Sequence, residues 1–373
     1  MAEAATESSW CEISLPAITE NLTRTVERLP PHTRLCAVVK ADAYGHGIEN
    51  VVPLIIAQGI EHVGISSNAE ARSVRRAGFT GRLLRLRTAT PHEVKSGMDD
   101  RVEEMVGAPI FLKSLTELLG KDALPKLHIS LNAGGMSRDG LEISTDEGRA
   151  GLLRIVDMAG DRISGLCTHF PSNEPDELTA SISRFHDDLK WVFANSILRR
   201  QDILTHAGST LTLRAGQDPK TDMMRCGAIL YGITGPRPDY QSALALKSRV
   251  ISIGNYPKGN TIGYDRSFYL AQDKVLASIA LGYANGYPRQ LSGRGEVLIR
   301  GKRLPVMGKV SMNTIVADVS CLPEVSIGDE VVVFGQQGNQ VISSLDIEEF
   351  SGTIMADLFA DWGQRNVRVV NKS

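Results

Sequence analysis

The first two-thirds of the chain alternate between short apolar runs and longer segments with apolar residues at helical spacing. The apolar runs predict strands at 35–39, 62–66, 82–86, 102–106, 127–131, 163–168 and 203–206, with a last run at 224–230. The segments between them predict helices, among others at 51–57, 68–77, 111–119, 148–158 and 182–198. About eight such βα units indicate a (β/α)8 barrel, a TIM-like α/β fold. A doubly wound open sheet is the alternative, but no Gly-x-Gly-x-x-Gly follows the first strand.

The pattern changes after Gly235-Pro236-Arg237-Pro238. From Ala243 onward the chain has short β-like runs at 244–253, 275–281, 297–299, 314–319 and 330–334, separated by glycine and proline. This pattern predicts a C-terminal all-β domain. The opening run at 9–15 also predicts a strand, which we expect to join that domain. We therefore expect a barrel domain at 12–238 and a β domain at 239–373.

Composition and charge exclude several classes of protein. The net charge of −2 gives no basic footprint for nucleic acid, and no apolar run approaches the ~18 residues of a membrane helix. Residues 1–9 lack the basic and apolar regions of a signal peptide, so we expect a cytoplasmic protein, or a periplasmic one if a leader precedes them. The five scattered cysteines form no Cys-x-x-Cys pair, which favours buried free thiols over a disulfide framework or a zinc site.

A lysine follows the first barrel strand directly. Removing Lys40 from water would lower its pKa, and a neutral amine is both a nucleophile and a base. For a single lysine, a charge that reaches solvent is the usual outcome. However, the stretch Val38-Val39-Lys40-Ala41-Asp42-Ala43-Tyr44-Gly45-His46-Gly47 as a whole resembles the pyridoxal-phosphate lysine motif of alanine racemases.

Functional side chains of a barrel lie at the C-terminal ends of its strands. Five candidates lie at or just past such ends: Lys40, Arg138, His169, Ser209 and Arg225. The resemblance implies that Lys40 binds the cofactor covalently and that His169 stacks on its ring. It also implies a phosphate site made of Tyr44, Ser209 and the amides of Gly227 and Ala228. The segment before Ser209 is one residue shorter than in the family, and the family's C-terminal phosphate tyrosine aligns near Gln364, which lacks the hydroxyl.

Arg225, in Met223-Met224-Arg225-Cys226-Gly227, matches the arginine that faces the cofactor's pyridine nitrogen in the family. A guanidinium has a pKa above 12 and can only donate hydrogen bonds. We therefore expect the ring nitrogen to stay unprotonated. The cofactor would then be a weaker electron sink than one paired with an acid.

The segment Ile279-Ala280-Leu281-Gly282-Tyr283-Ala284-Asn285-Gly286-Tyr287 resembles the family's second catalytic motif. The resemblance implies that Tyr283 is the other acid/base and that it reaches Lys40 of the other subunit, as in a homodimer with shared sites. Met312, in Gly308-Lys309-Val310-Ser311-Met312-Asn313, matches the residue whose backbone amide meets the substrate carboxylate.

One segment departs from the alanine-specific racemases, which have a carbamylated lysine there. Ser130 replaces that lysine, Asn132 replaces an aspartate, and the string continues Ala133-Gly134-Gly135-Met136-Ser137-Arg138. This string resembles the broad-spectrum racemases, as do Gly308–Asn313 and Gly263-Tyr264-Asp265-Arg266-Ser267-Phe268. In that branch the arginine at Arg138 lies beside the cofactor's phenolic oxygen, and an anion such as chloride occupies the site near Ser130 and Asn132.

The resemblance as a whole implies a pyridoxal-phosphate racemase of broad or basic specificity, in which Lys40 and Tyr283 move the α-proton on opposite faces. Candidate substrate contacts are Arg138, Met312, Tyr264, Asp139 and Asp265, the last two as partners for a cationic side chain. The alternatives are an alanine-specific racemase, a basic amino-acid decarboxylase and, without enzymatic activity, a single-barrel cofactor carrier. Many broad-spectrum relatives are periplasmic and pair a cysteine at Cys36 with one where this chain has His62.

Overall fold

The structure, a computed structural model, describes residues 6–234 and 239–372. Its contacts group the chain into two compact units. One unit comprises residues 22–41 and 51–230. The other comprises residues 1–21, 42–50 and 231–373, as far as they are described. The domain boundary predicted at 238 falls at residues 235–238, which lie outside the described residues, so it stays a prediction.

The strands and helices follow each other closely along the chain. The strands are β1 (Ser9–Ser14), β2 (Arg34–Val38), β3 (His62–Ile65), β4 (Arg82–Arg85), β5 (Val102–Val106), β6 (Leu127–Ser130), β7 (Ile163–Cys167), β8 (Leu204–His206), β9 (Met223–Cys226), β10 (Leu244–Tyr256), β11 (Thr261–Ile262), β12 (Phe268–Tyr269), β13 (Lys274–Ile279), β14 (Glu296–Ile299), β15 (Lys302–Met307), β16 (Ile315–Asp318), β17 (Glu330–Gln337), β18 (Gln340–Ile342) and β19 (Val367–Asn371). The helices are α1 (Leu15–Glu27), α2 (Lys40–Tyr44), α3 (Ile48–Ala57), α4 (Asn68–Arg76), α5 (Pro91–Ser96), α6 (Pro109–Leu119), α7 (Asp146–Ala159), α8 (Pro175–Asn195), α9 (Thr210–Arg214), α10 (Ser344–Ser351) and α11 (Met355–Arg365).

Strands β2 to β9 close a parallel barrel in chain order, with β9 pairing back onto β2. This arrangement confirms the predicted (β/α)8 barrel. Side chains alternate along each strand, so on β6 Leu127 and Ile129 join the apolar cluster shared with the helices. His128 and Ser130 point the other way and are buried in the barrel interior. The barrel therefore carries polar side chains inside, a point that becomes important below.

Helix boundaries depart from the predicted ones where the first turn is polar. Helix α8 begins at Pro175, seven residues before the predicted 182, and its first turn contains Asp176 and Glu177. Proline at the first position and acidic residues in the first turn both favour a helix start. The apolar periodicity alone did not extend to this turn because its residues face solvent.

The second unit is built on a nine-stranded sheet in the order β18-β17-β14-β15-β16-β13-β10-β1-β19. Strand β1 pairs antiparallel with β10 and parallel with β19, so the N-terminal strand belongs to this sheet. The unit is strand-rich, as predicted, but it also carries helices α10 and α11, which the sequence pattern did not indicate. Among the residues that the structure describes, no helix is both long and apolar enough to cross a membrane.

The five cysteines are free thiols, and four of them are buried, as predicted, whereas Cys321 is exposed. On neighbouring barrel strands, Cys36 lies opposite His62 in the register. These two positions are thus adjacent in this fold and hold one thiol and one imidazole.

Candidate active site

The barrel unit brings together the candidate residues that follow its strands. Lys40 lies two residues after β2, His169 two residues after β7, and Arg225 near the end of β9. Arg138 lies in the loop after β6, and Ser209 follows β8. All of them are at the C-terminal ends of barrel strands, where barrel enzymes place their chemistry.

The amine of Lys40 has a lowered pKa. Burial is the largest cause, the positive charges of Arg138 and Arg225 add to it, and Glu70 opposes it. A lowered pKa increases the fraction of neutral amine, which is the form that acts as nucleophile and base.

The backbone directly after Lys40 is held by a carboxylate that the sequence analysis did not single out. The Ala41 amide donates to Oε1 of Glu70 at 2.8 Å, and the amides of Ser66 and Ser67 donate to Oε2 at 2.6 and 3.1 Å. Glu70 therefore caps helix α4 and fixes the position of the lysine at the same time. The capping box is visible in the sequence, but its link to Ala41 depends on tertiary structure.

Arg225 is buried and donates to several acceptors at once. Its Nη1 donates to Nδ1 and to the carbonyl oxygen of His206, each at 2.9 Å, and its Nη2 donates to the carbonyl of Thr168 at 2.7 Å. The contact from Nη2 to Nδ1 of His169 is longer, at 3.5 Å. The three short contacts fix the guanidinium, while the long one is the most easily exchanged for another acceptor.

Arg138 and Asp139 lie in a loop that Asn132 organises. Oδ1 of Asn132 accepts from the Ser137 amide at 2.7 Å, and Nδ2 donates to Glu142 at 3.0 Å. Arg138 is largely exposed, and its Nε lies 3.6 Å from the Asp139 carboxylate. Asn132 thus replaces the aspartate of alanine-specific racemases with a side chain that has both a donor and an acceptor in use.

The predicted phosphate ligands of the barrel unit lie at helix starts. Ser209 caps helix α9, and its Oγ accepts from the Leu211 amide. Gly227 precedes, and Ala228 begins, a short 3-10 turn that ends at Tyr231. Amides at such starts have no acceptor within their own helix, so they can bind an anion.

The second unit contains Tyr44 in a segment of unusual backbone. Residues 41–44 all have φ between 51° and 57°, so α2 is a left-handed helical turn. L-residues lose about 1–2 kcal/mol each in this conformation, so the surroundings must hold it. Nδ1 of His46 lies 2.9 and 3.0 Å from the carbonyls of Ala43 and Tyr44, and Arg368 pairs with Asp42 at 2.6 Å.

The ring of Tyr44 lies near that of Tyr231, with their centroids 5.0 Å apart. Gln364, at the end of α11, is exposed and lines a polar cleft together with Asn50 and Arg368. Gln364 therefore faces other polar side chains but offers an amide where the family has a phenol.

Tyr283 and Met312 are neighbours through their backbones. The Tyr283 amide donates to the carbonyl of Ser311 at 3.1 Å, and the Ala284 amide donates to that of Met312 at 2.9 Å. Tyr283 is 37% exposed and Met312 54% exposed, so both side chains are accessible in the single chain. The guanidinium of Arg289 lies 5.7 Å from the centroid of the Tyr283 ring.

The candidate substrate contacts Tyr264 and Asp265 lie in a short turn of the second unit, and Tyr264 is exposed. Asp265 pairs with Lys309 at 2.6 Å. The hydrogen bond from Lys309 is the main cause of the lowered pKa of this carboxyl. The carboxylate of Asp265 is therefore already engaged by a lysine of the same chain.

The comparison with known proteins decides the family. The family model described as alanine racemase, N-terminal domain, matches residues 13–235. The model described as alanine racemase, C-terminal domain, matches residues 243–370. The chain belongs to the alanine racemase family.

Individual relatives of this alanine racemase family member cover nearly its whole length. A broad specificity amino-acid racemase from Pseudomonas putida (strain KT2440) is 40% identical over 365 residues, which cover 97% of this chain and 89% of the relative. A lysine racemase from Proteus mirabilis is 38% identical over 368 residues, which cover 98% and 90%. The structure of alanine racemase from Bacillus anthracis with bound L-Ala-P has a TM-score of 0.89 at 27% identity and covers 98% of this chain and 96% of that chain.

Pyridoxal phosphate is the cofactor of the alanine racemases, and the residues present fit it. Lys40 offers an amine of lowered pKa for the covalent bond. Arg225 offers only donors to a ring nitrogen, and the helix starts at Ser209 and Ala228 offer amides to a phosphate. The predicted family, fold and cofactor are confirmed, while the roles of individual residues stay predictions.

Proposed function

We propose that this chain is a pyridoxal-phosphate racemase of broad or basic amino-acid specificity. The observation that carries the proposal is the pairing, in one barrel, of Lys40 with a lowered pKa and a buried Arg225 that can only donate. The relatives named for broad specificity and for lysine support the substrate range. Ser130 in place of the carbamylated lysine favours the same branch over an alanine-specific enzyme.

The chain's own residues would hold the cofactor from several directions. Lys40 would bind it covalently, Arg225 would face its ring nitrogen, and His169 would lie against its ring. Arg138 would lie beside the phenolic oxygen. The phosphate ligands would be Tyr44, Ser209, Gly227 and Ala228. Once bound, pyridoxal phosphate withdraws electrons from the substrate's α-carbon and makes its proton removable.

Two side chains would move the α-proton. For one enantiomer, the Nζ of Lys40 would take the α-proton on one face, and the Oη of the partner subunit's Tyr283 would deliver a proton on the opposite face. For the other enantiomer, the two groups would exchange these roles. Arg225 would donate to the ring nitrogen without protonating it, which would limit electron withdrawal and favour return of a proton to the same carbon. The Met312 amide would meet the substrate carboxylate.

The alternatives weighed from the sequence fit less well. A single-barrel carrier has no second domain, whereas family models match this chain on both sides of residues 235–238. A decarboxylase would place an acid where Arg225 donates to His206 and Thr168.

The decisive experiment is chiral chromatography of the products from a panel of L-amino acids, with Lys40→Ala as the inactive control. We expect lysine or arginine to be racemised at least as well as alanine. Racemisation of alanine without either basic amino acid would contradict the broad-spectrum assignment. No racemisation of any amino acid by the cofactor-loaded enzyme would contradict the racemase assignment itself.

We also propose a homodimer with shared sites and a chloride near Ser130 and Asn132. The exposed aromatic and sulphur-containing side chains of Tyr264, Tyr283 and Met312 favour a protein partner on the second unit.

A chloride would share the Nδ2 donor of Asn132 with the Glu142 carboxylate, so we expect weak binding. Replacing chloride by gluconate at constant ionic strength tests this site, and unchanged kinetics would argue against it. The cytoplasmic location stays a prediction.

A further inference from the structure

The barrel interior contains a line of polar side chains that begins at Arg225. His206 on β8 is followed by His128 on β6, with Nε2 of His206 2.9 Å from Nδ1 of His128. Nε2 of His128 lies 2.7 Å from Oε2 of Glu103 on β5. Arg82 on β4 ends the line, because its Nε and Nη2 each donate to Glu103 at 2.7 Å.

The two ends of this line determine where every proton in it lies. Arg225 can only donate, so as long as its contact with His206 is made, Nδ1 of His206 accepts and carries no proton. His206 is then neutral with its proton on Nε2, which donates to Nδ1 of His128. His128 is in turn neutral with its proton on Nε2, which donates to Glu103. An ionised carboxylate can only accept, so the line is consistent in this direction and in no other.

The electrostatics agree with this assignment. Burial, together with the charge of Arg225, holds the pKa of His206 well below its usual range. Burial also lowers the pKa of His128, against the opposing effect of Glu103. Burial would raise the pKa of Glu103, but hydrogen bonds from His128 and Arg82 outweigh it and lower the value to about 2. His62, the other imidazole facing this line, has a pKa lowered by burial and by nearby arginines.

The part of the barrel interior that this line occupies would usually be filled by branched apolar side chains, which dominate the layers inside such barrels. Burying charged and polar groups requires desolvation that apolar residues avoid. A fully buried His128 and a largely buried Glu103 therefore need a reason other than packing. Glu103 touches none of the candidate residues directly, so its effect must pass through the two histidines.

We propose that Glu103 and His128 are positioning residues for Arg225: the carboxylate fixes the tautomer of His128, His128 fixes that of His206, and Nδ1 of His206 thereby stays an acceptor for Arg225. If the proton of His206 moved to Nδ1, it would oppose an Arg225 N–H, and the guanidinium would lose that contact. The consequence for the cofactor's ring nitrogen rests on the proposed function, whereas the tautomer assignment does not.

Two pairs of substitutions distinguish a role in the hydrogen-bonded line from a role in packing alone. His128→Asn keeps an acceptor close to the Nδ1 position, while His128→Leu removes it. Glu103→Gln keeps an acceptor for His128, while Glu103→Leu removes it. Ser164→Ala is the matched control, because Oγ of Ser164 contacts Nε2 of the same histidine at 3.3 Å without being a link in the line.

The first measurement is 15N NMR of the protein without cofactor, labelled on its histidines. We expect His206 and His128 in the wild type and in Ser164→Ala to show a protonated Nε2 and an unprotonated Nδ1. His128→Leu should shift His206 to a mixture of tautomers, and Glu103→Leu should do the same to His128. His128→Asn should keep the wild-type pattern at His206, and Glu103→Gln should keep it at both histidines. A wild-type pattern in both leucine variants would overturn the proposal.

The second measurement uses the loaded enzyme. His128→Leu and Glu103→Leu should lower kcat for racemisation by about tenfold or more and raise the ratio of half-transamination to racemisation, because a less fixed Arg225 permits protonation of the ring nitrogen. KM should change little. The Asn and Gln variants should recover most of the rate.

An unchanged reaction ratio in folded leucine variants would overturn the proposal. The expected tautomers in a protein that racemises no amino acid would support the hydrogen-bonded line and contradict only the proposed function. Should the leucine variants fail to fold, loss of the wild-type tautomers in both His128→Asn and Glu103→Gln would overturn the proposal as well.

Discussion

At the scale of single residues, the chemistry depends on groups whose neighbours change what they can do. Burial and, to a smaller extent, two nearby arginines lower the pKa of Lys40, and Glu70 holds the next backbone amide. Arg225 donates to two carbonyls and an imidazole, so it is a fixed set of donors. These contacts set the properties of a lysine and an arginine at strand ends, although Lys40 itself is exposed.

Tyr283→Phe should abolish racemisation in both directions and leave cofactor binding intact, because only the phenol proton is lost. Exchange of the α-hydrogen with D2O should continue for the one enantiomer whose proton faces Lys40. Mass spectrometry of recovered substrate measures this exchange for each enantiomer separately. Equal exchange of both enantiomers would show that Tyr283 is not the second base.

The sequence predicted these candidate catalytic residues better than it predicted the residues that hold them in position. Lys40, Arg225 and Tyr283 lie in contiguous strings that are recognisable by themselves. Glu103, His128 and Glu70 act through contacts between elements, and the residues in contact are 21 to 78 positions apart in the sequence. A buried histidine in a strand resembles an ordinary core residue until its partners are known.

At the scale of elements, the left-handed turn α2 is the least expected feature. Gly45 follows it with φ of +84°, and a Cβ there would lie 2.0 Å from the carbonyl oxygen of Phe359 on α11. Four consecutive residues other than glycine at positive φ have no recognisable pattern in the sequence. The backbone is held by hydrogen bonds of His46 and Asp42 within the segment and by the ion pair of Asp42 with Arg368.

Gly45→Ala should destabilise the protein by about 3–5 kcal/mol, because it combines a positive φ with a backbone clash. Gly59→Ala is the matched control: its φ is +67°, but nothing lies within 4 Å of the added Cβ. That variant should lose only about 1–2 kcal/mol, the cost of the backbone conformation. Urea unfolding of both variants measures the difference, and equal losses would show that the packing of Gly45 on α11 is unimportant.

The loop after β6 is the element in which specificity is best tested. Asp139→Asn should lower kcat/KM for lysine or arginine by an amount that corresponds to about 1–2 kcal/mol of activation free energy, typical of a charge-assisted hydrogen bond. The kcat/KM for alanine should hardly change. Asp265→Asn should have a smaller effect, because Lys309 already pairs with that carboxylate. Steady-state kinetics with alanine and lysine in parallel separate the cases. An equal loss for both substrates would mean that Asp139 supports the site and does not select the side chain.

At the scale of the whole molecule, several buried histidines link stability to pH. His46 and His62 have pKa values lowered to about 4, chiefly by burial. In the unfolded chain they titrate near 6.5, so between pH 6.5 and 4 the unfolded state binds protons that the folded state does not. Stability should therefore fall as the pH falls through this window.

The expected slope is about 1.4 kcal/mol per pH unit for each histidine that stays neutral. Urea midpoints at pH 7, 6 and 5 measure it. His46→Asn removes one titrating group but can still donate to the carbonyl of Ala43, so its slope should be smaller by that amount. Midpoints that do not change between pH 7 and 5 would contradict the assignment of neutral histidines.

The barrel and the strand-rich second unit followed from periodicity, since strand length and alternation are local properties of a sequence. Helices α10 and α11 did not, because the apolar residues of these short helices pack against a sheet whose strands come from both ends of the chain. The sequence resemblance also implied something that a single chain cannot contain, namely a site completed by a second copy.

Mixing two inactive variants tests that implication. Lys40→Ala lacks the base that binds the cofactor, and Tyr283→Phe lacks the second acid/base. If each site takes Lys40 from one subunit and Tyr283 from its partner, a mixed dimer contains one site with both residues intact and one with neither. Random exchange gives half of the dimers this composition, so activity should return to about one quarter of the wild-type value per subunit.

Subunit exchange is confirmed with two affinity tags, and the same mixture held below the exchange temperature is the control. No recovery after confirmed exchange would place both residues of a site in one chain, because mixing would then leave every site with one of them missing.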